Sequence, residues 1–293
     1  MTKSIEDFSE ILQLEEPLSR HTWLRLGGPA QYFLTPRTEE ELLSVVQTCR
    51  EQKIPIHILG AGSNLLVRDE GVRGAVIRVI EPLLSEVRVE GTQVIAGGGT
   101  LLSHMITEAV RSGLGGVEHL VGIPGTIAGA IVGNSGGRAG DIGQLASSVK
   151  VLTQDGEIAI RKGDELSFSY RCSSFQDLLV LSVTLSLTKD DTEELNRRIR
   201  KNWIMKRSTQ PLADQSAGCI FRNPRGLSAG ALIEQCGLKG MSVGKARISD
   251  RHANFIVTEA GATSHDIEQL ISRIRKSVAE KYAVDLELEI KVW

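Results

Sequence analysis

Gly60-Ala61-Gly62-Ser63-Asn64 is a segment whose residue types suit anion binding. The apolar run Ile54 to Leu59 precedes it and Leu65-Leu66-Val67 follows, so a strand, a loop and a second strand are expected. Without side chains at Gly60 and Gly62, backbone N–H groups can converge on a bound diphosphate, helped by the Ser63 hydroxyl and the Asn64 amide. The common nucleotide fingerprints do not fit. Leu65 replaces the third glycine of GxGxxG, and no glycine is followed by Lys-Ser or Lys-Thr as in a P-loop. Taken alone, the loop is equally well read as an ordinary glycine turn. A second concentration is more telling: residues 91–143 hold 15 of the 30 glycines and include the run HLVGIPGTIAGAIVGNSGG. Such density points to backbone that turns tightly or lies directly against a large ligand, since fixing glycine costs entropy.

Metal and paired-thiol chemistry lack any comparable spacing. Cys49, Cys172, Cys219 and Cys236 are far apart, forming neither a CxxC pair nor a zinc set, and the six histidines contain no HExxH. No metal is expected. Lys plus Arg number 34 against 36 Asp plus Glu, and the net charge of −2 gives no broad attraction to nucleic acid or anionic lipid. The amino-terminal Met-Thr-Lys-Ser-Ile-Glu-Asp lacks the apolar core of a signal peptide, and no apolar run approaches the ~20 residues of a membrane span. A cytoplasmic protein with no nucleic-acid or membrane partner is expected.

The elements that must carry these loops are mixed α and β. Thr38-Glu-Glu-Glu41 has the capping-box pattern, and Leu42, Leu43, Val45 and Val46 then predict a helix before the Ile54 strand. Strands are expected over 75–79, 86–89 and 92–96, and a helix from Thr100 to about Ser112. Val149 to Thr153 and Glu157 to Ile160 flank Gln154-Asp155-Gly156, a hairpin signal, and Val180 to Leu187 reads as another strand. Asp190 or Asp191 caps a basic helix reaching Lys206, where composition changes and a boundary is set. Ile267, Leu270, Ile271, Ile274 and Val278 share one helical face, which is core rather than a cofactor site. Val284 to Val292 alternates Asp285, Glu287, Glu289 and Lys291 with apolar residues, the pattern of a half-buried strand.

Six segments then carry a resemblance: PIHILGAGSNLLVRDEG, GIPGTIAGAIVGNSGG, SFSYRCSSF, SAGCIFRNP, GLKGMSVGKARISDRHANFIV and LELEI. In this order, from about Thr22 to Lys291, they resemble the signature segments of the UDP-N-acetylenolpyruvoylglucosamine reductases (MurB, UDP-N-acetylmuramate dehydrogenases). The stretch between Arg171 and Cys219 is too short for the substrate-covering tyrosine insertion of one branch, so the chain resembles the shorter, second type. The resemblance implies an α+β chain with an FAD-binding fold of the vanillyl-alcohol-oxidase (PCMH) type. Two FAD subdomains over 1–77 and 78–206 would precede a C-terminal substrate-binding domain over 207–293, with the strand 284–293 packing back on the FAD domain.

It further implies non-covalent FAD, since the loop offers no histidine for attachment. FAD contacts are expected at Gly60, Ala61, Gly62, Ser63, Asn64, Gly122, Ile123, Pro124, Gly125, Gly129, Asn134, Ser135 and Gly136. NADPH is the implied reductant and UDP-N-acetylglucosamine enolpyruvate the implied substrate, reduced to UDP-N-acetylmuramate for peptidoglycan; a monomer is expected. Hydride from flavin N5 would reach the terminal vinyl carbon, leaving an enolate-like charge to be stabilised and an adjacent carbon to be protonated. By resemblance, Arg171 is the catalytic arginine, Glu289 the carboxyl near the enolate, and Cys219 the proton donor where many members have serine. Outside the family, these would be a surface arginine, the polar face of a strand and a small buried hydrophobe. Asn223 matches a substrate-contacting asparagine, though Asn-Pro also favours a turn. Arg207, Arg222 and Lys239 are candidate diphosphate contacts or solvated charges. Arg138 stands near the place of an aromatic found in the family's NAGAYG version.

Overall fold

In the computed structural model, which describes residues 4–137 and 139–293, Thr38 caps the first helix, α1 (Glu39–Glu51), by accepting from the Glu41 N–H at 3.1 Å. Arg138 lies outside the described residues. The Glu41 carboxylate accepts from the Arg37 N–H at 2.7 Å, so this acidic side chain reaches one residue beyond the cap.

The chain forms two units, one comprising residues up to Gln13, Tyr32–Ala61 and Gly74–Lys206, the other Leu14–Gln31, Gly62–Arg73 and Arg207–Trp293. In the first unit, a five-stranded antiparallel sheet has the order Ile158–Lys162, Ala146–Leu152, Leu179–Ser186, Gln93–Gly97, Val87–Glu90. A bulge where Lys150 and Val151 pair with Ser182 and Val180 leaves Leu181 extra. Parity along the strand therefore changes: Leu179 and Leu181 join one core, whereas Val180, Val183 and Leu185 join the other. The first core contains the buried stripe of α1, Leu42, Val45, Val46 and Cys49, with Ala75 and Ile77. The second takes Leu102, Met105, Ile106 and Ala109 from α2 (Leu102–Arg111), Ile127 and Ile131 from α3 (Ile127–Val132), and Leu195 from α4 (Thr192–Thr209). Burial of these stripes, at about 1.5–3 kcal/mol per large side chain, holds the helices on the sheet.

The second unit has an antiparallel sheet ordered Gln215–Cys219, Phe255–Thr258, Ala246–Ile248, Ser242–Val243. Its core is completed by α5 (Ala229–Gln235) and by α6 (Ser264–Tyr282), whose Ile267, Leu270, Ile271, Ile274 and Val278 are buried as their spacing requires. The tail departs from the continuous strand expected over 284–292. Burial does alternate, with Leu286 and Ile290 inside, but the tail changes partner midway. Leu288 makes a single bridge to Phe221, and only Lys291–Val292 pairs as a strand, parallel to Leu65–Leu66. Neither partner is long enough to sustain a ladder.

Candidate functional site

In the first unit, the strand Ile56–Leu59 runs parallel to residues 75–78 and delivers Gly60 and Ala61. A Cβ on Gly60 would come 2.8 Å from Thr126 Oγ1, so two glycine-rich runs, 60–61 and 122–129, lie against one another. Thr126 is buried and starts α3, its hydroxyl accepting from the Gly129 N–H at 3.3 Å. Gly122, Ile123, Pro124 and Gly125 are half-buried just before it, and Gly129 is exposed on the helix. Backbone bonds from Leu102 to Gly125, Ile127 to Thr100 and Ala128 to Gly98 fix this run beside the sheet. The result is a bare-backbone cradle, the kind of surface a dinucleotide diphosphate fits.

Asn134, Ser135 and Gly136 follow α3, and the asparagine faces inward. Its amide is 3% exposed, donating to Ser169 O at 2.7 Å and accepting from the Gly143 N–H at 3.0 Å. That amide joins the NSGG run to the SFSYR run, a tie that no sequence pattern announced. The second run carries Arg171 in a two-residue turn between Phe168–Ser169 and Cys172–Ser173. Its φ of +56° is left-handed, a region that disfavours side chains. The guanidinium, 17% exposed, donates to Asp141 Oδ1 at 3.1 Å, Gly136 O at 2.7 Å and Asn134 O at 3.4 Å. Gly136 has to be glycine because a Cβ there would overlap the Asp141 carboxylate. Asp141, absent from the sequence reading, thus braces Arg171 against the NSGG hairpin.

Lys206, at the end of this unit, has its Nζ bonded to the carbonyls of Val121 at 2.6 Å and His119 at 3.2 Å. Burial, reinforced by the Arg171 charge, lowers its ammonium to about 8. Burial likewise pushes the nearby His119 imidazole down.

In the second unit, Gly62 accepts from the Trp23 N–H, Ser63 is half-buried and Asn64 is exposed. The Asn64 amide donates to Glu289 O at 3.2 Å, while its own carbonyl accepts from Lys291 N–H at 3.0 Å. Cys219 ends the strand Gln215–Cys219 after a bulge containing Gly218, and is half-buried. Glu289 N–H donates to Ile220 O at 2.8 Å, and Arg222 N–H to Glu287 O at 2.9 Å. This pairing sets the half-buried Glu289 opposite the residue following Cys219 and brings Cys219, Glu289 and Asn64 onto neighbouring segments. Glu287 points its alternate way, with a side chain 78% exposed. Buried Asn254 locks the segment after Cys219, accepting from Phe221 N–H at 3.0 Å and donating to Phe221 O at 2.8 Å. It sits in the HANFIV block, where the sequence offered a signal but no role.

Asn223 is exposed, and its Oδ1 accepts from Ala229 N–H at 2.9 Å at the start of α5. Of the candidate diphosphate contacts, Arg222 lies 3.7 Å from Glu287, Lys239 lies 2.7 Å from Glu234, and Arg207 is exposed. No helix among the described residues is long and apolar enough to cross a membrane.

Residues 30–160 match the FAD binding domain, and residues 210–293 match the C-terminal domain of the UDP-N-acetylenolpyruvoylglucosamine reductases. A UDP-N-acetylenolpyruvoylglucosamine reductase of Moorella thermoacetica is 46% identical over 95% of this chain and 92% of its own length. The crystal structure of such a reductase from Thermus caldophilus is similar with a TM-score of 0.82 at 39% identity, covering 96% of this chain and 99% of that one. A glucose dehydrogenase, Phl p 4.0202, covers 64% of this chain and 45% of its own at a TM-score of 0.52 and 16% identity, a likeness of fold alone. Fold and cradle together define an FAD-dependent oxidoreductase with an α+β, vanillyl-alcohol-oxidase-type FAD-binding fold. Within that class, the chain belongs to the UDP-N-acetylenolpyruvoylglucosamine reductase family.

Proposed function

We propose that this chain reduces UDP-N-acetylglucosamine enolpyruvate to UDP-N-acetylmuramate with NADPH, a step in making peptidoglycan precursor, using FAD held without a covalent bond. The observation that carries this reading is the backbone pairing that sets Glu289 opposite Ile220, beside Cys219, in the domain that matches the family.

Gly60, Ala61, Gly62, Ser63 and Asn64, together with Gly122 to Gly125, Gly129 and the Asn134 to Gly136 run, would hold the cofactor. When bound, FAD supplies the route by which a hydride from NADPH reaches the terminal vinyl carbon of the substrate. Arg171 stabilises the negative charge that then builds on the substrate carboxylate, and its fixed plane suits forked recognition of that group. Glu289 is half-buried and, in its protonated form, would donate a hydrogen bond to the same developing enolate. The Cys219 thiol gives its proton to the carbon beside the carboxylate, forming the new C–H bond as S–H breaks, and regains a proton from solvent. Cysteine in this place remains an acid, since an ordinary thiol is mostly protonated near neutrality. The side chains of Asn64, Asn134 and Asn223 bond to backbone groups of the protein, which supports a role for these three in shaping the site.

Anaerobic absorption spectroscopy tests the reading. NADPH should bleach the bound flavin, and the enolpyruvyl UDP-sugar should restore the yellow form with UDP-N-acetylmuramate as product. Reoxidation only by O₂ would contradict it.

A further inference from the structure

One face of α4 grips the turn that leads into Gly122 to Gly125. Arg198 pairs with the buried Glu118 carboxylate at 3.4 Å, and Asn202 Nδ2 donates to Glu118 O at 3.1 Å. Lys206 Nζ takes the next carbonyls, His119 O and Val121 O. Positions 198, 202 and 206 are spaced by four, so they form one row along the helix. Trp203, beside that row, lies against Gly122, where a Cβ would meet its ring at 3.2 Å. Three consecutive side chains of the row thus satisfy the turn's carboxylate and carbonyls, beside the apolar contact that Trp203 makes.

We propose that α4 is a strap for the 122–125 flavin loop and that Lys206 is its positioning residue, whose protonated form is required for tight FAD binding. This rests on the reading of residues 122–125 as an FAD-contacting loop.

An ammonium donates to two carbonyls more strongly than a neutral amine, and its charge favours an anionic cofactor nearby. The site makes that charge costly: burial and the adjacent Arg171 bring Lys206 to about 8. Glu118, His119, Asp141 and Arg198 are the other charged or titratable side chains on the elements around it. Linkage then couples the two events. FAD binding favours the ammonium, so FAD affinity falls as pH rises through the value of the cofactor-free protein, by up to about tenfold per pH unit.

The test titrates the full-length apoprotein with FAD between pH 7 and 9 by fluorescence quenching, for the parent, Lys206→Met and Lys206→Arg, with amide exchange of residues 119–125 measured alongside. The parent dissociation constant should rise about tenfold over this range. Lys206→Met should bind about tenfold more weakly at pH 7 with a flat profile and faster exchange in 119–125. Lys206→Arg, permanently charged, should restore tight binding without the pH dependence. A parent profile flat from pH 7 to 9, or a Met variant with the parent's affinity and slope, overturns the strap. If FAD leaves exchange of 122–125 unchanged in the parent, the loop reading beneath it fails instead, and the strap with it.

Discussion

Arg171 is held in a left-handed conformation that costs a side-chain-bearing residue on the order of 1 kcal/mol. Hydrogen bonds to Asp141, Gly136 and Asn134 offset that cost and leave the guanidinium in one orientation. Arg171→Ala should therefore spare flavin reduction by NADPH but slow flavin reoxidation by the enolpyruvyl substrate by about 10²–10³-fold, read by single-turnover stopped flow. Asp141→Ala should slow the same half-reaction, with partial recovery in Asp141→Asn, because the brace is lost while the cation remains. Lysine at 171 should be a poor replacement, lacking the planar fork. The SFSYR motif singled out Arg171 in the sequence, but not what holds it. Asp141 and Asn134 were not legible as braces, because their role depends on which carbonyls and N–H groups the NSGG hairpin turns toward them.

At the scale of elements, local pattern read well where one face is simply buried. The stripes of α1 and α6 appear where spacing of three and four placed them, and Thr38 caps as its sequence suggests. The tail read less well, since alternation reports burial and not partner: residues 287–289 bond to 220–222, while 291–293 bond to the segment around 64–68. The bulge at Leu181 was equally hidden, because Leu179, Val180 and Leu181 are all apolar and all buried, so the alternation that holds from Ser182 onward does not show where the phase changes. At this scale Asn254 pins the segment that follows Cys219. Asn254→Ala should destabilise the second unit by about 2–3 kcal/mol, leaving two buried backbone groups of Phe221 unpaired. A melting temperature within a degree of the parent would contradict this.

At the scale of the molecule, two buried groups of the first unit give stability an alkaline signature. Burial pushes the Cys49 thiol up to about 11, so between about 9 and 11 the unfolded chain loses a proton that the folded chain keeps, and stability falls as pH rises through that window. Lys206 acts oppositely: folded it sits at about 8 against 10.5 unfolded, so its contribution to stability rises between those values. Cys49→Ala should remove the first effect, and its melting temperature should fall less than the parent's from pH 9 to pH 11. Local pattern had indicated mixed α and β, and the family resemblance carried by the six motifs had implied the α+β fold and the flavin, whereas the shifts of Cys49 and Lys206 depend on packing that no single segment encodes.

The central claim is that Cys219 supplies the proton in the second half-reaction. Single-turnover reoxidation of NADPH-reduced enzyme by UDP-N-acetylglucosamine enolpyruvate measures it in the parent, Cys219→Ser and Cys219→Ala. The alanine variant should be reduced by NADPH at close to the parent rate yet reoxidised at least about 10²-fold more slowly, with serine retaining measurable transfer. Reoxidation of the alanine variant at the parent rate would contradict the account.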